Sequence, residues 1–299
     1  MIPEDPELED LQDRSPALLA QAIQAMVEAV ITKQSTKAIQ KRIAEIMGDT
    51  LTLAHLLGSE SIFNHIEDIP EKFAALPPNR PMVVSATFQE AFLDIIDRTP
   101  LLADDDGTGR PRWQIVQDIY LEHGFSAAKA IEESVLGRVR EVITSSLLPG
   151  EDRTNTEPAK VISELADWSR AYATTVYRTN ITTAFAAGRL QQAMDPKTKG
   201  IIPALRFVAV GGSSGDGDTR PNHAAAHGFV AAPESAVWDD LSPPLGYNCR
   251  CRLEPIDKFR ARREGLLDAD GNVIEQPIPS GAKRDDGFNS GRPDFRPPT

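Results

Sequence analysis

The sequence predicts a mainly α-helical protein with a small α+β module in its C-terminal half. Apolar residues recur at helical spacing through most of the first 190 residues, and β-branched and aromatic runs follow them. The final stretch is a mixture of glycine, proline and charged residues without periodicity. We therefore expect a helical N-terminal region over 1–150, a module over 151–260, and a hairpin with a flexible tail over 261–299.

The N-terminal region begins with an amphipathic helix that has Ser15 as cap and Pro16 at its first position. Further helical patterns run through "TKAIQKRIAEIM", "ATFQEAFLDIID" and "AAKAIEESVLGRVREVITSSLL". They are interrupted by "ALPPNRP" and by the acidic "LLADDDGTGRPR". This half of the chain is expected to form a helical bundle or a helical array.

The second unit starts with a long helix that has Pro158 in its first turn and carries Leu165 and Tyr177 inward until "DPKTKG" ends it. This helix leads into a short sheet, because "ALRFVAVGG" and "CRCRLEPI" have the composition or alternation of strands. Asp270-Gly271 predicts a hairpin. From about residue 277 onward we expect a disordered or extended tail.

The composition excludes several classes of function. A formal net charge of -12 disfavours general binding to nucleic acid, and no run of residues is apolar enough to span a membrane. The acidic start is unlike a signal peptide, and no phosphate-binding glycine loop is present, so neither membrane contact nor a small-molecule substrate is expected. One local exception, a basic run that could contact DNA or an acidic partner, comprises Arg250, Arg252, Lys258, Arg260, Arg262 and Arg263.

The stretch "DTRPNHAAAHG" predicts one half of a metal site. Asp218 or Thr219 can cap a short helix, which places His223 and His227 four residues apart on one face. Gly228 would end that helix.

Cys249 and Cys251 are expected to share one face of a strand, because side chains alternate along it. Two histidines and two cysteines complete the tetrahedral shell of a structural zinc ion. The alternative is a metal-free hydrogen-bonded cluster, in which Asp218, Arg220 and His223 join the glycine-rich loop to the "PPLGYN" turn.

Catalysis is not expected. A zinc protease needs a glutamate beside its first histidine, and alanines occupy that position here. A nucleophilic cysteine paired with either histidine stays open, so a metal-dependent or cysteine hydrolase is the alternative function.

These residues carry a resemblance to the phage Mu F-like minor head proteins, also called the phage head morphogenesis domain. The similarity extends over about residues 160 to 256, through "YRTNITTAFAAGR", "DTRPNHAAAHG" and "PPLGYNCRC". The residues that match the family motifs are Arg178, Thr179, Asp218, Arg220, Gly228, Trp238, Pro244, Gly246, Tyr247 and Asn248.

The resemblance implies a minor structural component of a phage or gene-transfer-agent head rather than an enzyme. It implies association with the portal protein and other capsid proteins, and a role in procapsid assembly or in DNA packaging and ejection. The implied location is the virion head, assembled in the host cytoplasm.

Overall fold

A computed structural model describes residues 16–62, 109–146, 158–212 and 217–289 of the chain. Within these ranges the protein is mainly helical with a small sheet towards the C-terminus, as the sequence predicts. The predicted helix "ATFQEAFLDIID" and the predicted cap Ser15 lie outside the described residues.

Four described helices pack around one apolar core in the N-terminal two thirds of the chain. They are α1 (Pro16–Ile31), α2 (Lys37–Glu60), α3 (Arg112–Ser146) and α4 (Pro158–Met194). The core takes its side chains from all four helices, so the described helices form a bundle rather than an extended array. Examples are Leu19, Leu56, Val135 and Tyr177, each at most 5% exposed.

Glycines allow α2 to approach its neighbours closely. A Cβ atom at Gly58 would collide with the backbone of Phe185 on α4, and one at Gly188 would collide with the carbonyl oxygen of His55. A Cβ at Gly124 of α3 would likewise collide with the backbone of Ala44. Backbones this close leave no room for side chains between them, so these glycines set the helix crossings.

The C-terminal module is built on a three-stranded antiparallel sheet in the order β2-β1-β3. Its strands are β1 (Ala204–Val208), β2 (Val230–Ala231) and β3 (Arg252–Ile256). Leu205 of β1 lies opposite Ala231 on one side and Pro255 on the other. Three short helices accompany the sheet, namely α5 (Pro221–Ala225), α6 (Val237–Leu241) and α7 (Lys258–Arg263).

Helix α4 contributes side chains to the apolar core of the bundle and to a second apolar core in the module. Its residues up to Phe185 face the helical bundle, whereas Leu190 and Ala193 pack with the strands and with Trp238. Buried Arg189 lies at the junction, where its Nε donates to Ser61 Oγ at 2.6 Å and its guanidinium donates to the carbonyl oxygen of Leu253 at 2.5 Å. A shared helix and the buried guanidinium of Arg189 therefore join the module to the bundle.

The chain after α7 is extended, one of the two forms expected for the tail, and part of it packs against the module. The expected hairpin forms, with Leu267 bridging Val273. Residues 277–289, here called the C-terminal strap, then cross the module: the backbone N–H of Asp285 donates to Leu245 O at 2.8 Å, and Phe288 is buried. An apolar side chain and paired backbone groups hold an extended segment that has no periodic pattern of its own.

Candidate functional site

The "PPLGYNCRC" segment turns back beside α4 and brings both cysteines into the module. Asn248 has a φ of 55°, a conformation that asparagine tolerates better than most residues. Its backbone N–H donates to Thr179 Oγ1 and its side chain donates to Thr175 Oγ1, both at 3.2 Å. Two of the motif residues, Thr179 and Asn248, thus hold this turn against the long helix.

His223, Cys249 and Cys251 form a compact buried cluster. The distance from His223 Nδ1 to Sγ is 3.6 Å for Cys249 and 3.9 Å for Cys251. All three residues are buried, and their ligand atoms lie within 4.8 Å of one another. Three of the four predicted metal ligands therefore come together.

His227 is not part of this group. Helix α5 ends at Ala225, two residues before His227, so the i, i+4 relation that would align the two imidazoles is lost. His227 Nδ1 instead accepts the backbone N–H of Ala209 at 3.2 Å. Gly228, with a φ of 83°, follows in the turn that leads to β2.

Two further local expectations differ from the structure. The cap residue of α5 is Arg220 and makes no side-chain cap, whereas Thr219 Oγ1 donates to Val210 O at 2.9 Å. The cysteines precede β3 rather than lying on it, so their shared direction comes from the turn and not from strand alternation.

Asp285 of the C-terminal strap completes the site and was not foreseen from the sequence. Its Oδ1 lies 3.1 Å from His223 Nε2 and accepts from Asn222 Nδ2 at 3.0 Å. Its Oδ2 lies 3.2 Å from Arg220 Nε. The only sequence signal is an acidic residue in a stretch that lacks periodicity, which is too common to identify a site.

Gly246 and Arg220 explain how the strap fits the turn. A Cβ atom at Gly246 would collide with the Asp285 carboxylate, so glycine is needed for this approach. Arg220 also donates to Tyr247 O at 2.9 Å, and the Tyr247 ring meets Phe288 edge to face at 5.0 Å. Arg220 thus contacts the "PPLGYN" turn directly and His223 reaches it through Asp285, whereas residues 213–216 of the glycine-rich loop lie outside the described residues.

The electrostatics of the cluster shift the pKa values of the two thiols in opposite directions. The hydrogen bond with Cys251 lowers the pKa of Cys249 well below its ordinary value, against burial, and His223 lowers it further. The same hydrogen bond, together with burial, raises the pKa of Cys251. Burial lowers the pKa of His223, but Cys249 and Asp285 outweigh it, so that this pKa lies above its ordinary value. The charged forms of Cys249 and His223 thus stabilise each other.

A cavity of about 310 Å³ adjoins Cys249. Arginines dominate its charged lining, and Asp218 is the acidic residue among them. The lining residues are Arg178, Asp218, Arg220, Tyr247, Asn248, Cys249 and Arg250.

The remaining motif residues support the module from within. Trp238 is buried on α6, donates from Nε1 to Ala232 O at 2.8 Å, and meets Phe229 edge to face. The peptide bond between Pro243 and Pro244 is cis.

The basic run does not form one continuous surface. Arg250 lines the cavity, and Arg252 lies on β3. Arg260 pairs with buried Glu254 at 2.9 Å and with Glu264 at 2.7 Å. Arg262 and Arg263 occupy the exposed part of α7, and Lys258, at its start, is half-buried.

The fold and the site define a helical protein whose C-terminal α+β module is closed by a buried histidine–cysteine cluster. Residues 137–254 match the family model described as "Phage Mu protein F like protein". This part of the chain is therefore similar to that family, and the match begins within α3, earlier than the resemblance predicts.

Two curated relatives agree with the family. The chain is 31% identical over 163 residues to the "Putative capsid assembly protein F" of Escherichia phage Mu. This aligned region covers 48% of this chain and 36% of that protein. It is 27% identical over 197 residues to the "Mu-like prophage FluMu F protein" of Haemophilus influenzae, which covers 58% of this chain and 46% of that protein. The matched region thus spans less than half the length of either relative. No solved structure matches the chain.

The part of the chain that the structure describes has no helix that is long and apolar enough to cross a membrane.

Proposed function

We propose that this protein is a minor structural component of a phage head that acts in capsid assembly. The observation that carries the proposal is the match of residues 137–254 to the Mu F-like family, because this segment includes all three residues of the cluster and the turn. The relative from phage Mu bears the name of a capsid assembly protein. The expected location is the virion head, after assembly in the host cytoplasm.

The arrangement of the motif residues favours a structural role over catalysis. Arg220, Thr179 and Asn248 make contacts between segments that are far apart in sequence. The thiols of Cys249 and Cys251 are at most 4% exposed, which limits access by a protein substrate. Motif residues that hold loops together are typical of a module whose surface, rather than a reactive group, meets its partners.

We propose the portal protein and the other capsid proteins as its partners. The test is to delete the gene from the phage and to supply the wild-type chain in trans. A Gly188→Ala variant, which is expected to be less stable, is supplied in parallel. We expect the wild-type chain to co-sediment with heads and to cross-link to the portal protein. We expect deletion to lower the number of DNA-filled heads. Normal numbers of filled heads that lack the chain would contradict the assembly role.

We also propose that α7 contacts DNA near the portal through Arg262 and Arg263. The double variant Arg262→Gln, Arg263→Gln should retain less DNA on a filter and show a shallower dependence on salt. The matched control is Lys41→Gln, Arg42→Gln, which removes two exposed charges from α2. Equal effects of both double variants would show that net charge alone governs retention.

A second candidate function is a cysteine hydrolase of head maturation. Cys249 Sγ, His223 and Asp285 are arranged in the order of a nucleophile, a base and the group that orients the base, at 3.6 and 3.1 Å. The cavity next to Cys249 offers space for a reacting group.

Separate alanine variants of the two cysteines test this candidate. A hydrolase would lose cleavage of head proteins in Cys249→Ala, would keep it in Cys251→Ala, and would assemble uncleaved heads normally. Under the structural proposal, head assembly does not depend on cleavage by this chain. Any loss in Cys249→Ala should then follow loss of folding, measured by circular dichroism.

A further inference from the structure

The His223–Cys249–Cys251 cluster has the dimensions of a metal site. With bonds of about 2.3 Å to sulfur and about 2.1 Å to nitrogen, a tetrahedral zinc ion holds a sulfur and a nitrogen ligand about 3.6 Å apart. The observed distances from His223 Nδ1 are 3.6 Å to Cys249 and 3.9 Å to Cys251. Both nitrogen–sulfur distances are therefore close to those of a zinc site, and all three ligand atoms lie within 4.8 Å of one another.

The surroundings of His223 direct one ring nitrogen at the thiols. Its Nε2 lies 3.1 Å from Asp285 Oδ1, so that a proton on Nε2 leaves Nδ1 as a free electron pair facing both sulfur atoms. Asn222 and Arg220 hold the two oxygens of Asp285 in turn. A carboxylate that accepts from the far nitrogen of a histidine is the usual support of a metal-bound imidazole.

The charge balance of the cluster also favours a divalent cation. The cluster is buried, so both cysteines can become thiolates only when a cation balances their charge. One Zn²⁺ ion cancels the charge of two thiolates. Thiolate and imidazole ligands together suit zinc, whereas magnesium and calcium prefer oxygen ligands.

We propose that His223, Cys249 and Cys251 bind one zinc ion, which joins α5 to the turn before β3. A water molecule from the cavity beside Cys249 completes the four ligands, and Asp285 links the site to the C-terminal strap. His227, which was expected as the fourth ligand, takes no part. The site is independent of the proposed role in head assembly and stands or falls by its own test.

The test uses the full-length chain purified without chelators. We expect about one zinc per chain by elemental analysis, and thiols that react only after a strong chelator is added. Replacement of zinc by Co²⁺ should produce the charge-transfer absorption of thiolate ligands. The variant His223→Ala should lose metal, and Asp285→Asn should bind it about 10 to 100 times more weakly.

His227→Ala is the matched control, because it removes a histidine of the same segment and should keep one zinc per chain. The wild-type thiol titration does not depend on any variant, so it tests the proposal even if His223→Ala fails to fold. Two results would overturn it: a chain that takes up no stoichiometric zinc when zinc is supplied to the reduced protein, or thiols that react equally with and without bound zinc. Thiols that appear only after reduction would indicate a Cys249–Cys251 disulfide and would also overturn it.

Discussion

At the scale of single residues, buried polar side chains are the positions where a change of pH or a substitution should affect stability most. His55 is fully buried in the bundle, between Tyr120 OH at 3.2 Å and Gln191 Oε1 at 2.7 Å. The amide oxygen of Gln191 accepts, so Nε2 carries the proton and Nδ1 accepts from Tyr120. Burial lowers the pKa of His55 to about 4, although the bond to Gln191 opposes that shift. The imidazole is therefore neutral in the folded state above about pH 4.

We predict that His55 makes the folded state weaker in acid. Its pKa rises from about 4 in the folded chain to 6.5 in the unfolded chain, so the unfolded state binds the proton first as the pH falls. The contribution of His55 to the free energy of unfolding is complete above pH 6.5. It falls by about 3 kcal/mol as the pH drops to 4. Urea unfolding of the wild type and of His55→Gln at several pH values measures this. Identical pH slopes in the two proteins would contradict the assignment.

Arg189 is a buried charged residue with a structural role. Its hydrogen bonds reach α2 and β3, and its guanidinium lies 4.7 Å from the centre of the Phe185 ring. Lysine cannot reproduce the several donors and the flat shape of this group. The residue falls within "FAAGR", a stretch that the family resemblance includes, yet nothing in its spacing indicated burial.

At the scale of elements, the crossing of α2 and α4 depends on the absence of side chains. Gly58 and Gly188 place the two backbones in contact, each against the main chain of the other helix. A methyl group at this point cannot move into free space, because the atoms that it meets are backbone.

We predict that Gly188→Ala destabilises the protein by about 1 to 3 kcal/mol, because the helices must separate. The matched control is Gly137→Ala on α3, where an added Cβ has no atom within 4 Å. Alanine there should raise stability by about 0.5 to 1 kcal/mol through helix propensity. Thermal unfolding of both variants gives the comparison, and a Gly188→Ala protein as stable as the wild type would refute the close contact.

At the scale of the whole molecule, the C-terminal strap connects the surface of the module to its buried cluster. Asp285 reaches His223, and Phe288 packs on Tyr247. The bundle and the module share α4, so the strap completes a chain of contacts that runs from α4 through the turn to residue 288.

We predict that Phe288→Ala lowers the stability of the protein by about 3 kcal/mol, since it removes a buried ring. Ile278→Ala is the control: it lies in the same strap but is 55% exposed, so its effect should stay within about 0.5 kcal/mol. Denaturant unfolding distinguishes the two. Hydrogen exchange adds a second measure, because the N–H of Asp285 should be protected in the wild type and exchange faster in Phe288→Ala. Equal effects of both substitutions would mean that the strap does not pack in solution.

Local patterns in the sequence were sufficient for the four long helices that the structure describes and for β1. The spacing of apolar residues predicted α1 and α4, and the composition of "ALRFVAVGG" predicted β1, because periodicity and propensity act over a few neighbouring residues. The two-residue strand β2 was missed, since it is too short to show alternation.

The sequence by itself also determined the class of protein and three residues of the site, His223 and the Cys-x-Cys pair. Only the tertiary structure decided that Asp285, 62 residues beyond His223, orients the imidazole and that His227 points elsewhere. The reason is physical. A helix that stops at Ala225 and a strap held by Phe288 both depend on contacts between distant segments, and such contacts leave no periodic trace in the chain.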